Sequence, residues 1–136
     1  MSLFPARRFW SAAPAALLAL ATTAATAAPS SGPYTNRRFW ALQEENALIL
    51  VAITKPACPA CRAQRVALEN FQKQHPQADL NILWVDYDHY KRVRRYVNAS
   101  LAGTLVLYRG TERLGSTVVK MEEDAIIAPI LSAAAR

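Results

Sequence analysis

The chain has only two cysteines in 136 residues. Two thiols cannot build the dense disulfide framework of a small stapled scaffold, nor a four-thiolate zinc site within one chain. Histidine is equally scarce, with His75 and His89 alone, and no acidic residue occurs in the first 28 positions. Charged residues make up 19% of the chain and mean hydropathy is +0.03. That balance excludes wholesale disorder, which needs low hydrophobicity with high net charge. The length allows one domain of ordinary size and little room for a second. A surplus of 16 basic over 10 acidic residues, net +6, hints at nucleic acid or an anionic membrane, provided that all of it belongs to the working protein.

The first residues read as an address rather than as part of a fold. Arg7 and Arg8 precede Phe9, Trp10 and a run of small apolar residues through Leu17, Leu18 and Leu20, then Thr and Ala to Ala28. A basic lead, a short apolar run and small residues at its end are the parts of a secretory signal peptide. The triplet Ala25, Thr26, Ala27 fits the small-x-small cleavage rule and places the cut after Ala27, whereas Pro29 disfavours a cut directly before it. The alternative is an uncleaved anchor, for which the run from Phe9 is about long enough. It is, however, rich in Ala and Thr and interrupted by Pro14. The expected division is a signal peptide over 1–27, a flexible lead-in over 28–35 and a folded domain over 36–136, in a periplasmic or secreted protein. A membrane is a partner only if the first segment stays attached.

Without Arg7 and Arg8, 16 basic residues become 14 against 10 acidic, and the mature chain carries +4. Lys91, Arg92, Arg94 and Arg95 form its one dense basic cluster. On a helix they occupy a solvated face, and no aromatic-interleaved motif accompanies them, so no nucleic-acid partner is expected.

Periodicity organises the remainder. Asn36 to Glu45 predicts a short amphipathic helix, capped by Thr35 or Asn36, with Phe39, Trp40 and Leu42 on its apolar face. Ala47 to Ile53 is a continuous apolar run of strand length, the pattern of a strand buried on both faces. Helical spacing holds from Pro59 to His75 with Val66, Leu68 and Phe71 inward, and Pro76 stops it. Leu80 to Asp86 predicts a second strand, and Tyr90 to Asn98 a short helix with Val93, Tyr96 and Val97 inside. Thr104 to Tyr108 and Glu112 to Val119 predict a hairpin around Arg109 and Gly110. A closing helix starts near Glu122 or Glu123, kinked or divided by Pro129. Strands alternating with helices imply a parallel sheet to which the hairpin adds an antiparallel edge. The expectation is an α/β fold with a central mixed four-stranded sheet flanked by helices.

Both cysteines fall in one motif, Cys58-Pro59-Ala60-Cys61, between the first strand and its helix. This spacing lets the sulfurs close a small disulfide across the first helical turn. Cys58 falls at the N-cap and Pro59 at the first helical position, where its fixed φ suits the helix and its missing N–H is no loss. The Cys58 thiol then meets unsatisfied backbone N–H groups and the positive end of the helix, which favour thiolate over thiol. Lys55 and Arg62, close by in sequence, are candidates to add to that effect. Cys58 is the expected attacking sulfur and Cys61 the resolving one. Three other readings stay open: a structural bridge, whose loop is too short to constrain the unfolded chain by much; a half zinc site, for which neither histidine has ligand-like spacing; and a metal or cluster shared between two chains.

From about Asn36 to Ala134 the sequence resembles the thioredoxin superfamily. The residues that carry the resemblance are the strand Ala47 to Ile53, the Cys58-Pro59-Ala60-Cys61 helix start, Trp84 to Asp88 and the hairpin from Thr104 to Gly110. The Cys-Pro-x-Cys choice resembles glutaredoxins and bacterial periplasmic disulfide oxidases more than the Cys-Gly-Pro-Cys of thioredoxin itself. The resemblance implies thiol–disulfide exchange by a monomer, with no cofactor and no metal, on protein thiol or disulfide substrates and with a redox partner protein. It assigns catalysis to Cys58 and Cys61, and substrate support to Pro59, Ala60, Ala102, Gly103 and Thr104. A non-catalytic binding or metal-handling module of the same fold is the alternative.

Three positions depart from the family pattern. The buried acid expected in the strand before the motif is Ala52, the tryptophan expected before the first cysteine is Ala57, and the proline expected before the hairpin is Gly103. No proline occurs between Pro76 and Pro129. Because a cis bond before a non-proline residue is costly, the Ala102–Gly103 bond is expected to be trans.

Overall fold

A computed structural model describes residues 29–136, so the expected signal peptide lies outside the described residues. Along the chain run β1 (Ser31–Pro33), α1 (Asn36–Glu44), β2 (Leu48–Thr54), α2 (Pro59–Gln74), a 3-10 turn (Pro76–Ala78), β3 (Leu80–Asp86), α3 (Lys91–Tyr96), β4 (Thr104–Arg109), β5 (Glu112–Val118) and α4 (Glu123–Ala134). The sheet order is β1-β3-β2-β4-β5. β1, β3 and β2 are parallel, while β4 runs antiparallel to both β2 and β5. Among the described residues no helix is long and apolar enough to cross a membrane.

The sheet therefore has five strands rather than the expected four. The fifth, β1, lies inside the segment expected to be a flexible lead-in. Its order comes from contacts distant in sequence. Ser30 donates its hydroxyl to Asn81 at 2.9 Å and accepts from the Arg38 guanidinium at 2.6 Å, while the Trp84 indole donates to Ser31. Tyr34 follows directly, 3% exposed, with its ring 5.6 Å from that of Phe39. Pro33 offers no N–H, which is tolerable on a sheet edge.

β2 occupies the centre of the sheet and sorts the core into two layers by strand alternation. Ile49, Val51 and Ile53 join Phe39, Leu83, Val85, Val93 and Val106 beneath α1 and α3. Leu48, Leu50 and Ala52 join Leu68, Phe71, Ile82, Leu105, Ile126 and Ile130 beneath α2 and α4. Each large apolar side chain so buried contributes about 1.5–3 kcal/mol relative to leaving it in water. Three residues expected on apolar faces are instead exposed: Trp40 (57%), Val66 (59%) and Tyr96 (66%). Their helices need only a narrow apolar stripe, and other residues fill it. α4 is one helix despite Pro129.

Candidate active site: the cysteine pair at the start of α2

β2 delivers the chain to a short loop that ends at Cys58. Ala57 adopts a left-handed conformation with φ +57°, unusual for a residue with a Cβ, and turns the chain into the helix. Cys58 is the N-cap of α2, extended, with Pro59 at the first helical position. Its Sγ accepts from the Cys61 N–H at 3.1 Å, the bond that a serine or aspartate oxygen makes at other helix starts. Cys58 and Cys61 form a disulfide with their Cα atoms 5.2 Å apart.

The two sulfurs differ in access. Cys58 is partly exposed among the exposed residues Pro56, Ala57 and Pro59, whereas Cys61 is 6% exposed. Cys61 Sγ lies 3.9 Å from the Ile53 carbonyl, an acceptor for its proton once the disulfide is opened. Ala60, between the two cysteines in the chain, is buried.

Gly103 faces the disulfide across the loop before β4. A Cβ placed on it would lie 3.4 Å from the Ala60 Cβ and 3.9 Å from Cys58 Sγ. Its φ is +79°, and no cis peptide bond occurs among the described residues, so the Ala102–Gly103 bond is trans. The Gly103 N–H donates to Ile53 at 2.8 Å, and its carbonyl accepts from the Val119 N–H at 2.9 Å. Ala102 is partly exposed beside it, while Thr104 is buried and donates its hydroxyl to the Leu101 carbonyl at 2.7 Å. The fold thus gathers Cys58, Pro59, Ala60, Cys61, Ala102, Gly103 and Thr104 at one end of the sheet.

Sequence reasoning missed Gln64. It is 2% exposed, and its amide donates to the carbonyls of Gly103 at 2.8 Å and Lys120 at 3.0 Å. One side chain on α2 thereby ties down both segments bordering the disulfide. A signal was present: Gln64 falls in the buried helical stripe of Ala60, Ala67, Leu68 and Phe71, where a polar residue needs a partner.

The Lys55 ammonium sits over the Tyr87 ring, 5.4 Å from its centroid. Ala52, at the position of the family acid, is buried between its sheet neighbours Trp84 and Leu105. The Asp86 carboxyl accepts from the His89 N–H and ring and from the Asp88 N–H, which hold it below the usual carboxylate range. His75 stacks on Phe71. Among the described residues no group of three or more His, Cys, Asp or Glu is placed to hold a metal ion.

No protein-family model matches the sequence, and no curated protein matches it. Solved structures do. Trxlp from Edwardsiella tarda is 27% identical with a TM-score of 0.66, over 71% of this chain and 93% of that one. A thioredoxin variant from Halobacterium salinarum is 21% identical with a TM-score of 0.67, over 79% and 94%. The thioredoxin of Trypanosoma brucei brucei is 16% identical at the same TM-score of 0.67, over 82% and 97%. The chain has the thioredoxin fold. In this thioredoxin-like domain the Cys-x-x-Cys disulfide caps the helix after the central strand, and glycine stands where the family pattern has proline.

Proposed function

We infer that this thioredoxin-like domain is a thiol–disulfide oxidoreductase that exchanges disulfides with protein substrates. One observation carries the reading: a disulfide at a helix N-terminus whose outer sulfur is reachable and whose inner sulfur is buried one turn behind it. In the reducing direction the Cys58 thiolate attacks one sulfur of a substrate disulfide. A Cys58–substrate disulfide forms and the other substrate sulfur leaves as thiolate. The Cys61 thiolate then attacks Cys58 Sγ, the second substrate thiolate departs, and the Cys58–Cys61 disulfide remains. Two electrons have passed from the dithiol to the substrate. The oxidising direction is the same sequence reversed. The helix start favours Cys58 both as attacking thiolate and as leaving group.

The reading includes an exported location, periplasmic or secreted, supported by the acid-free, apolar N-terminal sequence, and a redox partner protein that resets the pair. Direction follows from the reduction potential of the pair against that compartment, where about 30 mV corresponds to about 1.4 kcal/mol for two electrons. Equilibration with glutathione measures it.

Replacing Cys61 by Ser tests the chemistry. The variant should accumulate mixed disulfides through Cys58 that dithiothreitol releases, and Cys58→Ser should accumulate none. If Cys61→Ser captures no substrate and the wild-type chain reduces no protein disulfide, the reading fails.

A further inference from the structure

Away from the dithiol, positive charge is concentrated on α3 and the turn after it. Lys91, Arg94 and Arg95 line an open cavity of about 590 Å³ together with Asn98, Ala99 and Ser100. Lys91 and Arg95 are exposed, one helical turn apart, and a like-charged pair at that spacing weakens a helix. The nearest acid along the chain, Asp88, lines a neighbouring cavity with Lys91 but not this one. Among the described residues Arg65 pairs with Glu69 and the His89 ring is hydrogen-bonded to Asp86, and neither contact reaches α3. The Arg94 guanidinium lies over the Tyr87 ring, 3.8 Å from its centroid, and its Nε is buried without an acceptor. Arg94 is thus held in place, and none of the three cations is in an ion pair.

The cavity lies beside the loop that leads to Gly103 and so to the disulfide. Ser100, on its lining, is three residues before Gly103, whose Cβ position lies 3.9 Å from Cys58 Sγ. The Tyr87 hydroxyl donates to the Ser100 carbonyl at 3.2 Å, and the same ring carries the ammonium of Lys55, three residues before Cys58. Three residues of extended chain span about 10 Å, the reach of a short peptide flanking a bound disulfide. Leu101, exposed between the two, offers that peptide an apolar step.

We propose that this basic pocket receives an acidic stretch of the protein substrate, a few residues from the cysteine that Cys58 engages. The proposal rests on the oxidoreductase reading above. An acidic peptide meets three unpaired cations within about one Debye length of each other, so they act together rather than singly. Such complementarity selects partners and speeds encounter.

Binding of a cysteine-free, glutamate-rich fluorescent peptide to the full, oxidised chain tests the pocket apart from redox chemistry. The glutamate peptide should bind, its lysine counterpart should not, and added salt should weaken the complex. The double variant Lys91→Glu with Arg95→Glu exchanges one like-charged pair for another and leaves Arg94 on Tyr87. It should lose affinity by about tenfold or more at an unchanged melting temperature. Equal binding of the two peptides, unaltered affinity in the double variant, or tighter binding of a DNA oligonucleotide of equal charge would overturn the proposal. In exchange assays, disulfide peptides flanked by Glu should show a lower KM than those flanked by Gln, at similar kcat. Retained peptide binding without any exchange would defeat the oxidoreductase reading instead.

Discussion

Gly103 and Gln64 solve together a problem that the family pattern gives to a single proline. At φ +79° the Gly103 backbone is strained for any residue with a Cβ and closed to proline, whose ring holds φ at about −65°. Its N–H also donates to Ile53, a bond that proline lacks. Rigidity next to the disulfide therefore comes from hydrogen bonds, and Gln64 supplies two of them. Gln64→Leu keeps the shape of the helix stripe and withdraws the donor from both carbonyls. It should lower stability in urea unfolding by about 1–3 kcal/mol and speed hydrogen exchange at the Gly103 and Val119 amides. Unchanged exchange there would show that the two segments hold themselves. Ala52 is the complementary departure: by leaving out the acid, the chain avoids a buried carboxylate, and opened Cys61 faces the Ile53 carbonyl instead.

Among the elements, β1 and the residue after it depend most on distant partners. Tyr34 is buried against Phe39, and burial, with smaller contributions from Tyr96 and Tyr108, pushes its hydroxyl up to about 12. The sign follows from linkage. In the unfolded chain the phenol ionises at about 10, so above that pH the unfolded state sheds a proton that the folded state keeps. Stability from this group is complete below about 10 and is lost as pH rises through the folded value of about 12. Alkaline unfolding followed by circular dichroism should begin in that interval, and Tyr34→Phe should flatten the pH dependence there. A Tyr34→Phe curve parallel to wild type would place the alkaline sensitivity elsewhere.

For the whole molecule, β1 sets how much of the N-terminal region the fold can lose. A chain beginning at Ala28 keeps Ser30 and Ser31, which hold Asn81, Arg38 and Trp84. A chain beginning at Tyr34 loses both and leaves Asn81, buried near the start of β3, without its hydroxyl donor. The shorter chain should be less stable by about 1–3 kcal/mol, read as a lower urea midpoint than that of the Ala28 chain. Equal midpoints would make β1 an ornament of the sheet. Four strands and four helices were legible because apolar residues recur at the helix period or gather in runs of strand length, and both are local properties. The cysteine pair was legible for the same reason: N-cap, first-turn proline and second thiol all lie within four consecutive residues. β1 has three residues, among them Gly32 and Pro33, and no period to read; partners some fifty residues away order it. Trp40, Val66 and Tyr96 have the right composition for a core and the wrong side of a helix, which only packing assigns. Local chemistry along the chain was enough for the order of every strand and α-helix but β1 and for placing the two cysteines at a helix start. Tertiary structure alone decided that Gln64 reaches Gly103 and that the cations of α3 border the loop at the disulfide. Gln64 and Gly103 are 39 positions apart, and both α3 and that loop lie more than thirty positions from Cys58, so only the closing of the sheet brings them together.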